Sequence, residues 1–195
     1  YPHNDSIYFI IADVAGKGIH AGMVMAKAST LFEVLSQSKV DPDEMVFHMN
    51  NDLNNTKTAG MFVTSIVGEY NLITDEIRWV NAGHQPAVIR KNNGEYDQIE
   101  SSAPPLGVIK QKDKSVYNIH KMKLNGSRFY AFTDGLSESL NDKGEEIGIN
   151  GSIDIIEQNY SKETTKQLDN ITKSVINVSK SQKLTDDLTL ICIGK

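Results

Sequence analysis

The chain has 195 residues, enough for one domain with a sizeable core, and its 39% hydrophobic and 23% charged residues are the ordinary balance of a globular protein. The formal net charge is −5 and no basic stripe with interleaved aromatics occurs, so nucleic acid is not an expected partner. No apolar run approaches the roughly 20 residues that span a bilayer, no secretory leader is visible, and the single cysteine, Cys192, allows no internal disulfide, so a cytoplasmic protein without membrane contact is expected.

The first part of the chain predicts a strand, a tight turn and a long helix. The apolar residues 7–12 predict a buried strand, and Gly16 and Gly18 predict the turn that follows it. Residues 20–37 have the composition of an apolar helix, and we expect Met23 of this helix to lie in the protein core.

A second helix is predicted to begin after Asp41. Asp41 can serve as the N-cap, Pro42 suits the first helical position, and Glu44 would complete a capping box. The apolar residues that follow recur at helical spacing, which predicts one buried face: Met45, Val46, Met49 and Leu53.

The middle of the chain changes to a period of two residues, which is typical of strands. Six strands are predicted, at residues 61–70, 76–81, 87–91, 96–99, 115–124 and 128–133. Asn93-Gly94 and Asn125-Gly126 each predict a hairpin between the strands that flank them. Two further helices at residues 148–160 and 162–179, and a last strand at 188–193, complete an α+β pattern.

Acidic residues adjoin three of the predicted strands. Asp13 follows the first strand, Asp134 follows the strand at 128–133, and Asp186 and Asp187 precede the last strand. If these strand ends converge, their carboxylates repel one another or share cations, and oxygen ligands without His or Cys favour Mg²⁺ or Mn²⁺. Each aspartate taken alone fits a turn or cap residue as well, so the pattern leaves both interpretations open.

At this point the motifs resemble a known family. The segments IADVAGKG, WVNAGHQPAVI, FYAFTDGLSES and TDDLTLI occur in the order found in the SpoIIE/RsbU-like branch of the metal-dependent serine/threonine phosphatases, the type 2C or PPM fold. The resemblance covers nearly the whole chain, residues 1–195, as a single phosphatase domain. It implies a four-layer α-β-β-α sandwich, with two stacked, mainly antiparallel sheets flanked by helix pairs.

The resemblance also implies a metal site and a mechanism. Asp13 resembles the aspartate that bridges two Mn²⁺ or Mg²⁺ ions, and the backbone carbonyl of Val14 resembles a further ligand. Asp134 and Asp186 resemble ligands of one of these ions, and Lys17 is a candidate for steering the phosphate, although it could equally be a solvated turn residue. The implied reaction is hydrolysis of phosphoserine or phosphothreonine by a metal-activated water.

The family's partners are implied in the same way. Its typical substrates are small anti-anti-sigma proteins of the STAS type in bacterial signalling pathways that work by partner switching, and its members commonly carry an upstream sensor or receiver domain. The chain lacks the family's first glycine-rich acidic strand, so we expect a fragment with an uncovered sheet edge, through which a homodimer could form. The alternative function is a catalytically silent pseudophosphatase that binds a phosphoprotein.

Two further residues have an open interpretation. His84 could orient substrate or a metal-bound water, but we favour a structural turn that packs beside the site. Thr64 could support the metal site from behind its ligands, although a plain strand threonine is the simpler interpretation. Asp5 is expected in a hairpin turn rather than in the site.

Overall fold

The structure is a computed structural model that describes residues 1–56, 60–141, 143–178 and 187–194. These residues form β1 (Pro2–His3), β2 (Ser6–Val14), α1 (Ile19–Gln37), α2 (Pro42–Asn55), β3 (Val63–Asn71), β4 (Glu76–Ala82), β5 (Ala87–Arg90), β6 (Tyr96–Ile99), β7 (His120–Lys123), β8 (Arg128–Phe132), α3 (Asp134–Ser137), α4 (Gly148–Gln158), α5 (Thr164–Val178) and β9 (Leu190–Ile193). The chain divides into two compact units, each made of two separate segments: Tyr1–His84 with Glu100–Asn125, and Gln85–Ile99 with Gly126–Lys195.

The first unit is a five-stranded antiparallel sheet with two helices on one face. The strand order is β1-β2-β3-β4-β7, and α1 and α2 cover one face of the sheet. Because side chains alternate along a strand, every second residue of β2 faces these helices. The buried side chains of this core include Tyr8, Val24, Ala28, Phe32, Met45, Val46, Met49, Leu53, Val63, Val67, Val80 and Leu106.

One edge of this sheet is largely uncovered. The strand β1 pairs with β2 only through Pro2 and His3, so within the described residues β2 is paired on one side alone from residue 10 to residue 14. The uncovered edge expected from the sequence is therefore present. The homodimer through that edge stays a prediction.

The second unit is a four-stranded antiparallel sheet with its own helices. The strand order is β6-β5-β8-β9, and residues of α4 and α5 pack against β8 in one apolar cluster. Arg128 at the start of β8 is buried and donates to the carbonyl oxygens of Ser161 and Lys162. Its Nη1 also donates to Gln167 Oε1 at 2.6 Å, so β8 is tied to the beginning of α5.

Most predicted elements are confirmed. The helices at residues 20–37 and 148–160, the strand after Asp5 and the Asn93-Gly94 hairpin are all present, and Asp5 lies in the hairpin turn between β1 and β2. Two mainly antiparallel sheets flanked by helices confirm the predicted α+β class. The predicted helix at 162–179 begins at Thr164, and its last residue lies outside the described part of the chain.

Several local predictions were wrong. The segment predicted as a strand over residues 115–124 begins with a 3₁₀ helix, Lys114–Val116, because the Asp113 side chain accepts a hydrogen bond from Ser115 N, and only His120–Lys123 forms a strand. The strands on either side of Asn125-Gly126 belong to different sheets, so this pair is a connection between the units rather than a hairpin.

Two side chains also differ from expectation. Asp41 makes no capping bond to α2; its carboxylate pairs with Arg78 Nη2 at 2.9 Å instead, so no capping box forms with Glu44. Met23 is 65% exposed, because α1 presents it on the face away from the sheet. Among the described residues, no helix is both long and apolar enough to cross a membrane.

Candidate functional site

Asp13 lies at the end of β2, immediately before the turn into α1. Its side chain is half-buried, and the turn that follows places Gly16 at φ 129° and Gly18 at φ 86°. Both angles lie in the region that favours glycine, so the two glycines let the chain reverse within a few residues and start α1 at Ile19. Lys17, between them, is exposed to solvent.

The hydrogen-bond register between β2 and β3 determines the direction of the Val14 carbonyl. Ala15 N donates to Phe62 O at 2.9 Å, so Ala15 and Phe62 form a hydrogen-bonded pair. Pairs of this kind alternate along an antiparallel ladder, so Val14, which lies opposite Val63, exchanges no hydrogen bonds with β3. The Val14 carbonyl therefore points away from β3, to the outer edge of β2.

Thr64 and His84 form a hydrogen-bonded pair next to Asp13. Thr64 lies directly opposite Asp13 on β3, in a hydrogen-bonded pair that puts both side chains on the same face of the sheet. The Thr64 hydroxyl lies 2.9 Å from His84 Nδ1. His84 is 6% exposed, and its backbone N–H donates to Asn81 Oδ1 at 2.9 Å.

In the second unit, the Thr-Asp-Gly turn is bound to the segment that follows the Asp-Asp pair. Thr133 N donates to Thr189 O at 3.1 Å, and Thr189 N donates in return to Thr133 Oγ1 at 3.0 Å. Thr133 Oγ1 donates to the carbonyl oxygen of Asp187 at 3.1 Å. A Cβ on Gly135 would lie 2.3 Å from the same oxygen, so only glycine fits at this approach. Asp134, between Thr133 and Gly135, begins α3 and is half-buried.

The predicted site residues are only partly described. Asp186 lies outside the described residues, and Asp187, which follows it, is exposed. Within residues 1–56, 60–141, 143–178 and 187–194, no three His, Cys, Asp or Glu side chains form a group that could hold a metal ion. The described donors are nevertheless of one chemical kind, since the carboxylates of Asp13 and Asp134 and the Val14 carbonyl are hard oxygen ligands that suit Mg²⁺ or Mn²⁺.

One polar contact beside Asp134 was missed from the sequence. The side-chain amide of Gln85 hydrogen-bonds the Ser137 hydroxyl at 2.8 Å, which anchors the last residue of α3. No spacing or composition links residues 52 positions apart, so only the fold reveals this contact. Burial raises the pKa of the Cys192 thiol to about 11, so Cys192 in β9 is a protonated, partly buried residue.

A polar cavity of about 330 Å³ lies at the other end of β2 from Asp13. Its charged lining includes Asp41, Glu69 and Arg78, and the Arg78 guanidinium lies 2.9 Å from Asp41 and 3.4 Å from Glu69. The two carboxylates and the one guanidinium leave these three groups with a net charge of −1, so this cavity is a weaker candidate for binding phosphate than the Asp13 turn.

Comparison with known proteins finds a similar phosphatase among its relatives. The chain is 28% identical over 195 residues to "Phosphoserine phosphatase RsbU" of Bacillus subtilis, a match that covers 98% of this chain and 56% of that protein. The chain therefore spans little more than half the length of this relative.

Two solved structures show the same fold. The PP2C phosphatase domain of SpoIIE from Bacillus subtilis, solved with a fragment of its regulatory domain, matches with a TM-score of 0.76 at 18% identity, over 96% of this chain and 57% of that one. RsbX, solved in complex with magnesium, matches with a TM-score of 0.69 at 20% identity, over 98% of this chain and 82% of that one.

The family itself is identified from the sequence. Residues 3–195 match the family described as Stage II sporulation protein E (SpoIIE), which is nearly the whole chain. The resemblance of the four motifs is thereby confirmed, and the chain belongs to the SpoIIE family.

Proposed function

We propose that this chain is a metal-dependent protein serine/threonine phosphatase, acting as a single domain on phosphoserine or phosphothreonine of a regulatory protein. The observation that carries the proposal is the junction at Gly135, where the Thr-Asp-Gly turn contacts the backbone of Asp187. Two acidic motifs that are about 50 residues apart in sequence are thus neighbours, as a shared cation requires.

The proposed ligands are the carboxylates of Asp13, Asp134 and Asp186 and the carbonyl of Val14. Their oxygen chemistry fits two Mn²⁺ or Mg²⁺ ions, which, when bound, would lower the pKa of a water molecule and neutralise the phosphoryl oxygens. Lys17, exposed in the turn beside Asp13, would attract the phosphate by its charge.

The chain's own residues contribute orientation. The strand β2 and its register with β3 hold Asp13 beside Thr64, and the hydrogen bond to His84 fixes the Thr64 hydroxyl. A covalent route through Cys192 is disfavoured, because its raised pKa keeps the thiol protonated at neutral pH. Hydrolysis by water, without a phosphoenzyme, is therefore the reaction that these residues support best.

For the substrate and partners, the family resemblance is the support. We infer an anti-anti-sigma protein of the STAS type as the phosphorylated substrate, in a partner-switching pathway with a sensor or receiver domain upstream. The name of the RsbU relative, a phosphoserine phosphatase, agrees with phosphoserine as the target.

The second candidate is a pseudophosphatase that binds a phosphoprotein without cleaving it. Turnover that depends on a divalent metal distinguishes the two candidates.

The test is hydrolysis of p-nitrophenyl phosphate and of a phosphoserine peptide, with and without Mn²⁺, together with direct Mn²⁺ binding by calorimetry. In Asp13→Asn we expect at least a 100-fold loss of turnover and weaker Mn²⁺ binding. Asp5→Asn, which changes an exposed turn residue of the same sheet, should leave both unchanged. Full turnover by Asp13→Asn, or turnover without metal, would refute the two-metal mechanism. A wild-type chain that binds Mn²⁺ and the peptide without turnover would support the pseudophosphatase.

A further inference from the structure

The loop after Leu106 begins close to the turn beside Asp13. Leu106 and Val63 exchange hydrogen bonds at 2.8 and 2.9 Å, and Val63 lies opposite Val14. The chain turns directly afterwards, at Gly107 with φ 88°. A Cβ on Gly107 would lie 3.7 Å from Met61 O, and a Cβ on Gly16 would lie 3.2 Å from the Met61 side chain, so Met61 lies between the start of the loop and the turn.

Two consecutive asparagines of α2 hold this loop in place. Asn50 Nδ2 donates to Ile109 O at 3.0 Å, and Asn50 Oδ1 accepts from Gly107 N at 3.0 Å. Asn51 repeats the arrangement on Gln111, with its Nδ2 donating to Gln111 O at 3.0 Å and its Oδ1 accepting from Gln111 N at 2.9 Å. The backbone of the 107–112 loop is therefore fixed by four hydrogen bonds from α2.

The fixed loop presents apolar side chains to solvent. Val108 is 48% exposed and Ile109 is 57% exposed. Lys110 and Lys112, which follow, are also exposed, as is Lys17 in the turn. The loop therefore presents an apolar pair followed by two lysines, with the exposed Asp113 directly after Lys112.

We propose that the 107–112 loop docks the protein substrate, by binding an apolar residue and an acidic flank close to the phosphoserine. The inference rests on the proposed phosphatase function and names the chemistry of its substrate. Val108 and Ile109 would bury an aliphatic side chain, and Lys110 and Lys112 would attract carboxylates of the same segment. The position of the loop beside the Asp13 turn makes the docked segment continuous with the site of hydrolysis.

The test measures binding without turnover. The probe is a fluorescein-labelled phosphoserine peptide flanked by leucine and glutamate, and its anisotropy is followed with metal omitted. We expect Val108→Ser with Ile109→Ser to weaken binding about tenfold. The matched control is Leu72→Ser with Ile73→Ser, an apolar pair that is 41% and 74% exposed at the opposite end of β3. It should leave the affinity unchanged.

A second variant tests the role of the rigid backbone. Asn51→Ala removes two of the four hydrogen bonds but no docking side chain, so it should weaken peptide binding by a smaller factor, about two- to fivefold. The proposal is overturned if the loop variant binds like the wild type, if the control pair weakens binding equally, or if the wild type binds a peptide with glycine and serine flanks as tightly.

Hydrolysis of p-nitrophenyl phosphate separates this inference from the proposed function, because that substrate has no flanking residues. The Val108→Ser, Ile109→Ser variant should keep the wild-type kcat/KM for it. A wild type that binds the acidic peptide through the loop but hydrolyses nothing would refute the phosphatase function and support the docking site. If the wild type hydrolyses p-nitrophenyl phosphate but the Val108→Ser, Ile109→Ser variant binds the peptide as tightly as the wild type, the phosphatase function is supported and the docking site is refuted.

Discussion

Gly135→Ala is expected to destabilise the protein, although helix propensity alone predicts the opposite. Gly135 lies in α3, and it is not at a positive φ, so an alanine could adopt its backbone conformation. Its Cβ, however, would lie 2.3 Å from Asp187 O and 2.8 Å from Asp187 C, where real Cβ contacts are essentially never under 3.0 Å. The atoms in the way belong to backbone, so the segment that follows the Asp-Asp pair must move by at least 0.7 Å, the difference between 3.0 and 2.3 Å.

Overpacking of this size costs about 1–3 kcal/mol, and the gain in helix propensity offsets at most about 1 kcal/mol of it. We therefore expect a net loss of about 1–2 kcal/mol, which lowers the melting temperature by about 2–8 °C in a chain of this length. Mn²⁺ affinity, measured by calorimetry, should fall with it, because Asp186 adjoins the displaced residue.

The matched control is Gly22→Ala. Gly22 is in the interior of α1, and a Cβ there would meet nothing within 4 Å. Alanine should therefore stabilise the protein by about 0.5–1 kcal/mol. Thermal melting and urea unfolding of both variants test the reasoning. A Gly135→Ala protein that melts at or above the wild-type temperature, while Gly22→Ala behaves as expected, would show that the contact with Asp187 is not tight.

Two further changes test contacts in the first unit. Thr64→Val keeps the shape of the side chain but removes the hydrogen bond to the buried His84, so it should lower the free energy of unfolding in urea by about 1–3 kcal/mol. Thr64→Ser, which keeps the hydroxyl, should restore most of this loss. A valine variant as stable as the wild type would contradict the expected role of the bond. His120 stacks on Trp79, and burial lowers the pKa of His120 below its ordinary value of 6.5. As the pH falls, His120 therefore binds a proton in the unfolded chain before it does so in the folded protein, so wild-type stability declines from about pH 6.5 downward. His120→Phe should lose less stability than the wild type between pH 7.5 and 5 in thermal melts, and parallel pH curves would refute this.

The pattern of elements could be predicted because local signals and tertiary packing agree in most of this chain. The helix predicted over residues 20–37 is observed as Ile19–Gln37, since its apolar side chains, its small residues and the glycine turn before it all favour the same structure. The strand predicted from the apolar residues 7–12 is likewise observed, within Ser6–Val14.

Local signals failed where a residue has a competing partner far away in sequence. Asp41 had the right position for a cap, but Arg78, 37 residues later, takes its carboxylate at 2.9 Å. Asn125-Gly126 has the composition and the positive φ angles of a tight turn, but whether the flanking strands pair depends on which sheet each one joins. Neither outcome is encoded within a short window of sequence.

The candidate site shows the same division. The candidate aspartates were proposed from motifs at strand ends, which can be recognised locally, and their role as ligands stays a prediction. The side chains that contact these segments could not be recognised in that way: Thr64 was an open alternative, and the bond between Gln85 and Ser137 was unforeseen. Such contacts join positions that become neighbours only when the sheets form.

The interleaving of the two units has a consequence for how the protein is synthesised and folded. The first unit is interrupted by the β5–β6 hairpin and resumes at Glu100, and its edge strand β7 is made only afterwards. During synthesis, the edge of β4 therefore stays unpaired until His120–Lys123 has left the ribosome. At that point only the β5–β6 hairpin of the second unit has been synthesised. The sheet of the first unit pairs strands that are far apart in sequence, β2 with β3 and β4 with β7, which predicts slow, chaperone-sensitive folding. The interleaving also means that a single cut after Asn125 would leave both segments of the first unit in one fragment but would separate the β5–β6 hairpin from the rest of the second unit, so the C-terminal fragment would need the other fragment to complete its sheet.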